Sequence, residues 1–282
     1  MVGGHEHYRE ALMKLIENQR IGIIPAAGRG LRIAPLPGSK EVFPIGFDDR
    51  IVEGEKRRCP KVVSQYLIER MIAAGVNHIY FVLSEGKYDI MRYYGDGGHF
   101  GVHISYLMVD ELIGMPYTLN VAYPWLRGET VVFGMPDTIF KPIDAFKQML
   151  TQHTRLKADL TLGLFPTDQP WRLSMVKFDD EKRVLAVSDK PANSELKHTW
   201  GCACWENRFS ELLNDQIRAL VDDKQRQREV VLADFFNMAV AEKLNVRALA
   251  FDQGEYIDIG SPQDLEWAVK LFAQSNPETG VQ

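Results

Sequence analysis

The sequence predicts an α/β protein built on a doubly wound, mostly parallel sheet, and three observations carry that expectation. Short continuous apolar runs occur at Ile21 to Ile24, Ile79 to Leu83, Val131 to Phe133 and Leu160 to Phe165, as central strands covered on both faces require. Segments with apolar residues at helical spacing alternate with these runs. The first run opens into Pro25-Ala26-Ala27-Gly28-Arg29-Gly30, a small-residue loop at the carboxyl end of a strand, where sheets of this kind meet their ligands.

The elements follow in order. Residues 1–19 read as an amphipathic helix ahead of the first strand, and Ser275 to Gln282 as a frayed tail, leaving 20–274 as one compact unit. After the glycine loop, Pro60 precedes a helix with Val63, Leu67, Ile68, Met71 and Ile72 on one face, closed by Gly75. Further helices are expected at Lys87 to Tyr94, Tyr117 to Trp125, Ile143 to Leu156, Arg208 to Val221, Leu232 to Lys243 and Pro262 to Ala273. Between them, Leu173 to Trp205 carries a more broken β pattern with a hairpin-like stretch from Met175 to Val187. No internal repeat or low-complexity tract is evident.

Composition narrows the class. With 282 residues, 45% of them hydrophobic, the chain can bury a substantial core. No signal-peptide core interrupts the charged N-terminus, and no apolar stretch approaches the ~20 residues that span a bilayer, so a cytoplasmic protein without membrane contact is expected. A net charge of −5 argues against nucleic acid as the main partner. The basic runs Lys56-Arg57-Arg58 and Lys224 to Arg228 read as solvated loops or helix faces. Cys59, Cys202 and Cys204 include no Cys-x-x-Cys pair; Cys202 and Cys204 share one strand face near His198, and buried free thiols explain them better than a metal site.

The loop itself carries cations. Arg32 and Lys40 follow Gly28 and Gly30 within a stretch stiffened by Pro35 and Pro37. Small residues let backbone N–H groups approach a ligand, and the two cations supply charge where phosphates would lie. The stretch reads as a polyphosphate cradle. It is neither of the two common glycine motifs, because Ile33 and the prolines follow Gly28-x-Gly30 where a dinucleotide fingerprint needs glycine and helix, and Gly38-Ser39-Lys40 inverts the end of a Walker loop.

The segment resembles the sugar-1-phosphate nucleotidylyltransferases, glucose-1-phosphate thymidylyltransferases through Ser39-Lys40-Glu41-Val42-Phe43-Pro44-Ile45 and uridylyltransferases through Pro25-Ala26-Ala27-Gly28. Leu31 stands where that family has Thr. Later matches fall in the family's order: Gly134-Met135-Pro136-Asp137, Asp189-Lys190-Pro191, Gly201 within Thr199-Trp200-Gly201-Cys202, and Tyr256-Ile257-Asp258-Ile259-Gly260-Ser261. Looser ones are Gly95-Asp96-Gly97 and a base loop at Gly114-Met115-Pro116-Tyr117, where Tyr117 replaces a glutamine. Val231 stands where a sugar-contacting glutamate is usual.

The resemblance implies a Rossmann-like sheet of the glycosyltransferase-A type, with a nucleotide half over about 20–140 and a sugar half over about 141–274. It implies transfer of a nucleotidyl group from dTTP or UTP to a sugar 1-phosphate, most simply glucose 1-phosphate, in nucleotide-sugar and polysaccharide biosynthesis. Asp137 and Asp258 become Mg²⁺ ligands, matching that ion's need for one or two carboxylates beside phosphate and water. Arg32, Lys40 and Lys190 become the catalytic cations. Ala26, Ala27, Gly28, Gly30, Gly114, Tyr117 and Pro136 form the nucleotide site, and Asp189, Lys190 and Gly201 the sugar-phosphate site. Homo-oligomers are the family's habit. Two alternatives stay open: a cytidylyl- or guanylyltransferase acting on another phosphate, and a regulatory homologue that binds nucleotide sugar without turnover.

Overall fold

The computed structural model describes residues 20–222 and 230–274. The expected N-terminal helix, the tail and the run Lys224 to Arg228 lie outside them. The chain begins with β1 (Arg20–Pro25), buried from Ile21 to Ile24. Beyond the glycine loop comes an antiparallel hairpin, β2 (Pro44–Val52) and β3 (Glu55–Val62). The sequence expectation has no such hairpin and assigns Lys56-Arg57-Arg58 to a loop or helix face. The hairpin stands off the main sheet with most of its residues exposed or half-buried, so no apolar alternation marks it. Its turn places Glu53 and Gly54 at φ 54° and 82°, the left-handed pair that a tight hairpin needs.

The chain continues through α1 (Val63–Ala73), β4 (His78–Leu83), α2 (Tyr88–Tyr94) and β5 (His103–Met108). The single helix expected over 117–125 is two short ones, α3 (Met115–Asn120) and α4 (Tyr123–Leu126). Pro124 has no N–H to donate, so it sits in a first turn and forces a new start. Next come β6 (Thr130–Gly134), β7 (Thr138–Lys141), α5 (Ala145–Leu156) and β8 (Leu160–Pro166). The broken β region resolves into β9 (Ser174–Phe178), β10 (Val184–Asp189) and β11 (His198–Trp205). The described chain closes with α6 (Asn207–Asp222), α7 (Leu232–Ala241), β12 (Val246–Ala250), β13 (Glu255–Asp258) and α8 (Pro262–Gln274).

Nine strands form one mixed sheet in the order β10-β9-β11-β6-β1-β4-β5, with β8 and β12 extending from β11. Seven of the nine run in one direction, and β10 and β11 run against them. Helices cover both faces. One core layer joins Leu119, Phe209 and Phe236 to Phe133 and Trp205, and the other joins Leu67, Ile90 and Phe146 to Phe81 and Phe140. Such burial of apolar area, at roughly 25 cal/mol per Å², is what holds the sheet and fixes its strand ends. Cys202 and Cys204 are buried free thiols in the second layer, as expected.

A separate two-stranded ladder, β7 with β13, lies at the carboxyl ends of the main strands and packs against α8 through Ile139, Ile257, Ile259 and Ala268. Its register sets Asp258 opposite Thr138, and Ile259 N–H donates to the Asp137 carbonyl at 2.9 Å. That pairing brings two aspartates 121 residues apart in the chain to one place. No helix among the described residues is long and apolar enough to cross a membrane.

Candidate active site

The glycine loop is pinned at its start and open at its tip. Ala26 N–H donates to Val82 O at 2.8 Å, and the Ser84 hydroxyl donates to Ala27 O at 2.7 Å. A Cβ at Gly28 would meet nothing within 4 Å, whereas Gly30, at φ 63°, turns the chain left-handed toward Ile33. Arg32 then reaches across the site: a Cβ at Gly260 would lie 3.3 Å from its Nη2 and 2.9 Å from Asp258 Oδ1. Only glycine leaves that approach open. Lys40 begins a short helical turn, and its ammonium forms an ion pair with Asp137.

Charge is concentrated here and mutually dependent. Burial, with Asp137 beside it, pushes the Asp258 carboxyl up to about 6, although Lys40 and Arg32 pull the other way. Burial alone would lower the Lys40 ammonium, but Asp137, Glu41 and Asp258 together raise it. Glu41 is also raised by burial despite its bond to Lys87. A site with two crowded carboxylates and two cations suits polyanions carried with a divalent cation. Among the described residues no group of three or more His, Cys, Asp and Glu is placed to hold a metal ion by itself; Asp137 and Asp258 offer hard oxygen donors, and a cation there would take its remaining oxygens from phosphate and water.

Two cavities meet at these residues. The first, about 380 Å³, is walled by Ala27, Gly28, Lys40, Gly114, Pro136 and Asp137, with Arg32 and Asp258 at its edge. The second, about 340 Å³, contains Asp189, Lys190, Ser174, Thr199, Trp200 and Val231 and shares Arg32, Met115, Met135 and Asp258 with the first. Arg32 and Asp258 therefore stand at the junction. Asp189 is exposed and accepts the Ser174 hydroxyl at 2.6 Å. Lys190 follows it at φ 43°, a conformation that strains a lysine by about 1 kcal/mol or more and turns the chain at the cavity rim.

Four expected residues lie off the cavity walls. Ala26 is buried and spends its N–H on β4, and Gly30 shapes the loop from outside. Tyr117 packs with the first core layer, because the short helix α3 turns it inward and presents Met115 and Thr118 instead. Gly201 sits at a bulge where a Cβ would be 2.6 Å from the Tyr256 ring; the absence of a side chain there admits Tyr256, which lines the second cavity. Conversely, Arg172, Ser174, Trp200 and Tyr256 line the second cavity unforeseen. Arg172 comes from a short turn with no motif, bonded twice to Asp264 at 2.6 and 3.3 Å.

The sequence pattern of the nucleotidyl transferase family matches residues 21–275. The chain belongs to the nucleotidyl transferase family. A glucose-1-phosphate thymidylyltransferase of Neisseria meningitidis is 26% identical over 196 residues, covering 67% of this chain and 62% of the relative. A mannose-1-phosphate guanylyltransferase of Mycobacterium tuberculosis is 25% identical over 204 residues, covering 71% of this chain and 53% of the relative. The chain thus spans between about half and two thirds of these curated relatives. Among solved structures, the UTP-bound UGPase of Acinetobacter baumannii superimposes with a TM-score of 0.70 at 14% identity, covering 92% of this chain and 95% of that one. At that identity the likeness is one of fold, and it agrees with the mixed sheet described above.

Proposed function

We propose that this nucleotidyl transferase joins a pyrimidine nucleoside triphosphate, dTTP or UTP, to a sugar 1-phosphate, glucose 1-phosphate first among them, and releases pyrophosphate. The observation that carries the reading is the convergence of Arg32, Lys40, Asp137 and Asp258 at the junction of two cavities. One cavity suits a nucleotide and the other an acceptor. A phosphate oxygen of the sugar 1-phosphate bonds to the α-phosphorus as the bond from that phosphorus to the β-bridging oxygen breaks, and the electron pair leaves with pyrophosphate.

Two anions must be held in line, so positioning and neutralisation make up most of the catalysis. Arg32 takes the triphosphate and the departing pyrophosphate, Lys40 the phosphates at the reacting centre, and Lys190 the phosphate of the acceptor. Mg²⁺, held by Asp137 and Asp258, supplies charge neutralisation at the phosphates when bound. Backbone groups of Ala27, Gly28 and Gly114 read the base edge, with Thr118 bonded back to the Gly114 carbonyl at 3.3 Å. Asp189 meets sugar hydroxyls.

A pyrophosphate-release screen over dTTP, UTP, CTP, GTP and ATP against several sugar 1-phosphates tests the reading. Backbone reading senses neither a 5-methyl group nor a ribose hydroxyl strongly, a methyl contributing about 1 kcal/mol. The expected result is therefore use of dTTP and UTP with kcat/KM within roughly a hundredfold of each other, and rejection of purines. Efficient transfer from GTP, as the name of the mycobacterial relative would have it, overturns the base assignment. No pyrophosphate from any pair overturns the activity.

A further inference from the structure

The two neighbours of Lys40 are held by one segment, the connection from β4 together with the first turn of α2. Asp89 Oδ2 accepts the Ser39 N–H at 2.6 Å, and Asp89 Oδ1 accepts the Ser39 hydroxyl at 2.6 Å. On the other flank, Lys87 Nζ donates to Glu41 Oε2 at 2.8 Å, both side chains buried. The same connection supplies Ser84 to the glycine loop. Gly38 completes the fit, since a Cβ there would lie 2.8 Å from Asp89 Oδ2.

We propose that Asp89 is a positioning residue for Lys40, acting through Ser39. Ser39 precedes the turn that Lys40 starts, yet its hydroxyl does not cap that turn; it is committed to Asp89, so α2 sets where the turn begins. A lysine ammonium on a four-carbon stem has wide reach and high rotamer freedom. Fixing its Cα from outside leaves only the stem to order when phosphates arrive. Asp89 suits the task because its hydrogen bonds from Ser39 and Ile90 outweigh the upward pull of burial and hold its carboxyl below the usual range. It remains charged, and charge-assisted bonds are about twice as strong as neutral ones. The buried Glu41–Lys87 pair serves the same end, but breaking it leaves an uncompensated buried charge and threatens the fold. Asp89 is only half-buried, so its variants are the ones to make.

The inference rests on Lys40 meeting phosphates, so the test combines turnover, binding and a ligand-free signal. Asp89→Ala is expected to lower kcat by roughly tenfold to a hundredfold, the effect of a misplacement of about 1 Å, and to leave KM for the sugar phosphate within about twofold. Asp89→Asn, whose amide oxygen can still accept one bond from Ser39, falls between. In a Lys40→Met background, Asp89→Ala should change kcat and UTP affinity by less than about twofold, because the coupled partner is gone. An undiminished effect there shows that Asp89 acts on the fold at large and overturns the proposal, as does an unchanged kcat in Asp89→Ala. Should wild type transfer no nucleotide, the functional reading falls and the position of Lys40 is still read directly. The ¹³C signal of reductively methylated Lys40, assigned by its loss in Lys40→Met, should move toward those of exposed lysines in Asp89→Ala; an unmoved signal overturns the proposal.

Discussion

At the scale of residues, the Asp258 carboxyl is the group whose state reports on the site. In the folded protein it titrates near 6, against 3.8 ordinarily, because burial and Asp137 disfavour its charged form. A carboxyl raised in this way weakens the folded state as pH rises: the penalty is absent below about 4, grows as the unfolded chain ionises first, and is complete above the folded value. Between about pH 5 and pH 8 the metal-free protein should therefore lose about 1 kcal/mol of stability through this one group. Urea unfolding in chelator at the two pH values, on wild type and on Asp258→Asn, measures it. The variant is expected to gain on wild type by that amount at the higher pH, and a constant difference would remove the crowding of carboxylates from the account.

At the scale of elements, two glycines separate packing from ligand access. Gly201 of β11 lies against Tyr256 of β13, so Gly201→Ala forces the ring, and with it the strand carrying Asp258, to shift. Overpacking of this kind costs about 1 to 3 kcal/mol, and we expect a Tm lower by about 2 to 10 °C together with reduced turnover. Gly28 faces open space inside the first cavity. Gly28→Ala should leave Tm within about 1 °C, the surface-like case, and still lower nucleotide affinity. Equal thermal shifts in the two variants would contradict this division.

The elements also show what the sequence makes legible. Strands β1, β4, β6 and β8 are readable because both faces are buried and nearly every residue of their middles is apolar. The hairpin β2–β3 is not, because it rests on the body through side chains such as Arg50 and Gln65 rather than through an apolar stripe. The loop cations and the two aspartates are readable from their local contexts. Arg172 and Tyr256 reach the second cavity through tertiary packing that no spacing records, and Tyr117 packs against the first core layer while Met115 and Thr118 of the same helix line the first cavity.

At the scale of the molecule, walls from both halves of the chain enclose the junction, so a bound ligand should restrain the whole fold. With UTP and Mg²⁺ near a hundred times Kd, stabilisation of about 2.7 kcal/mol is expected, or roughly 5 to 10 °C in Tm. Scanning fluorimetry checks it, with Lys40→Met expected to shrink the shift. An equal shift with ATP would contradict pyrimidine selection. The ladder of β7 with β13 has a further consequence, for the way the protein is born. Residue 138 must wait for residue 258 before it has its neighbour, and closing so long a loop is slow and entropically late. On the ribosome, a nascent chain therefore carries its glycine loop and Asp137 long before it owns Asp258, and the ladder that pairs the two carboxylates forms only after residue 258 has emerged.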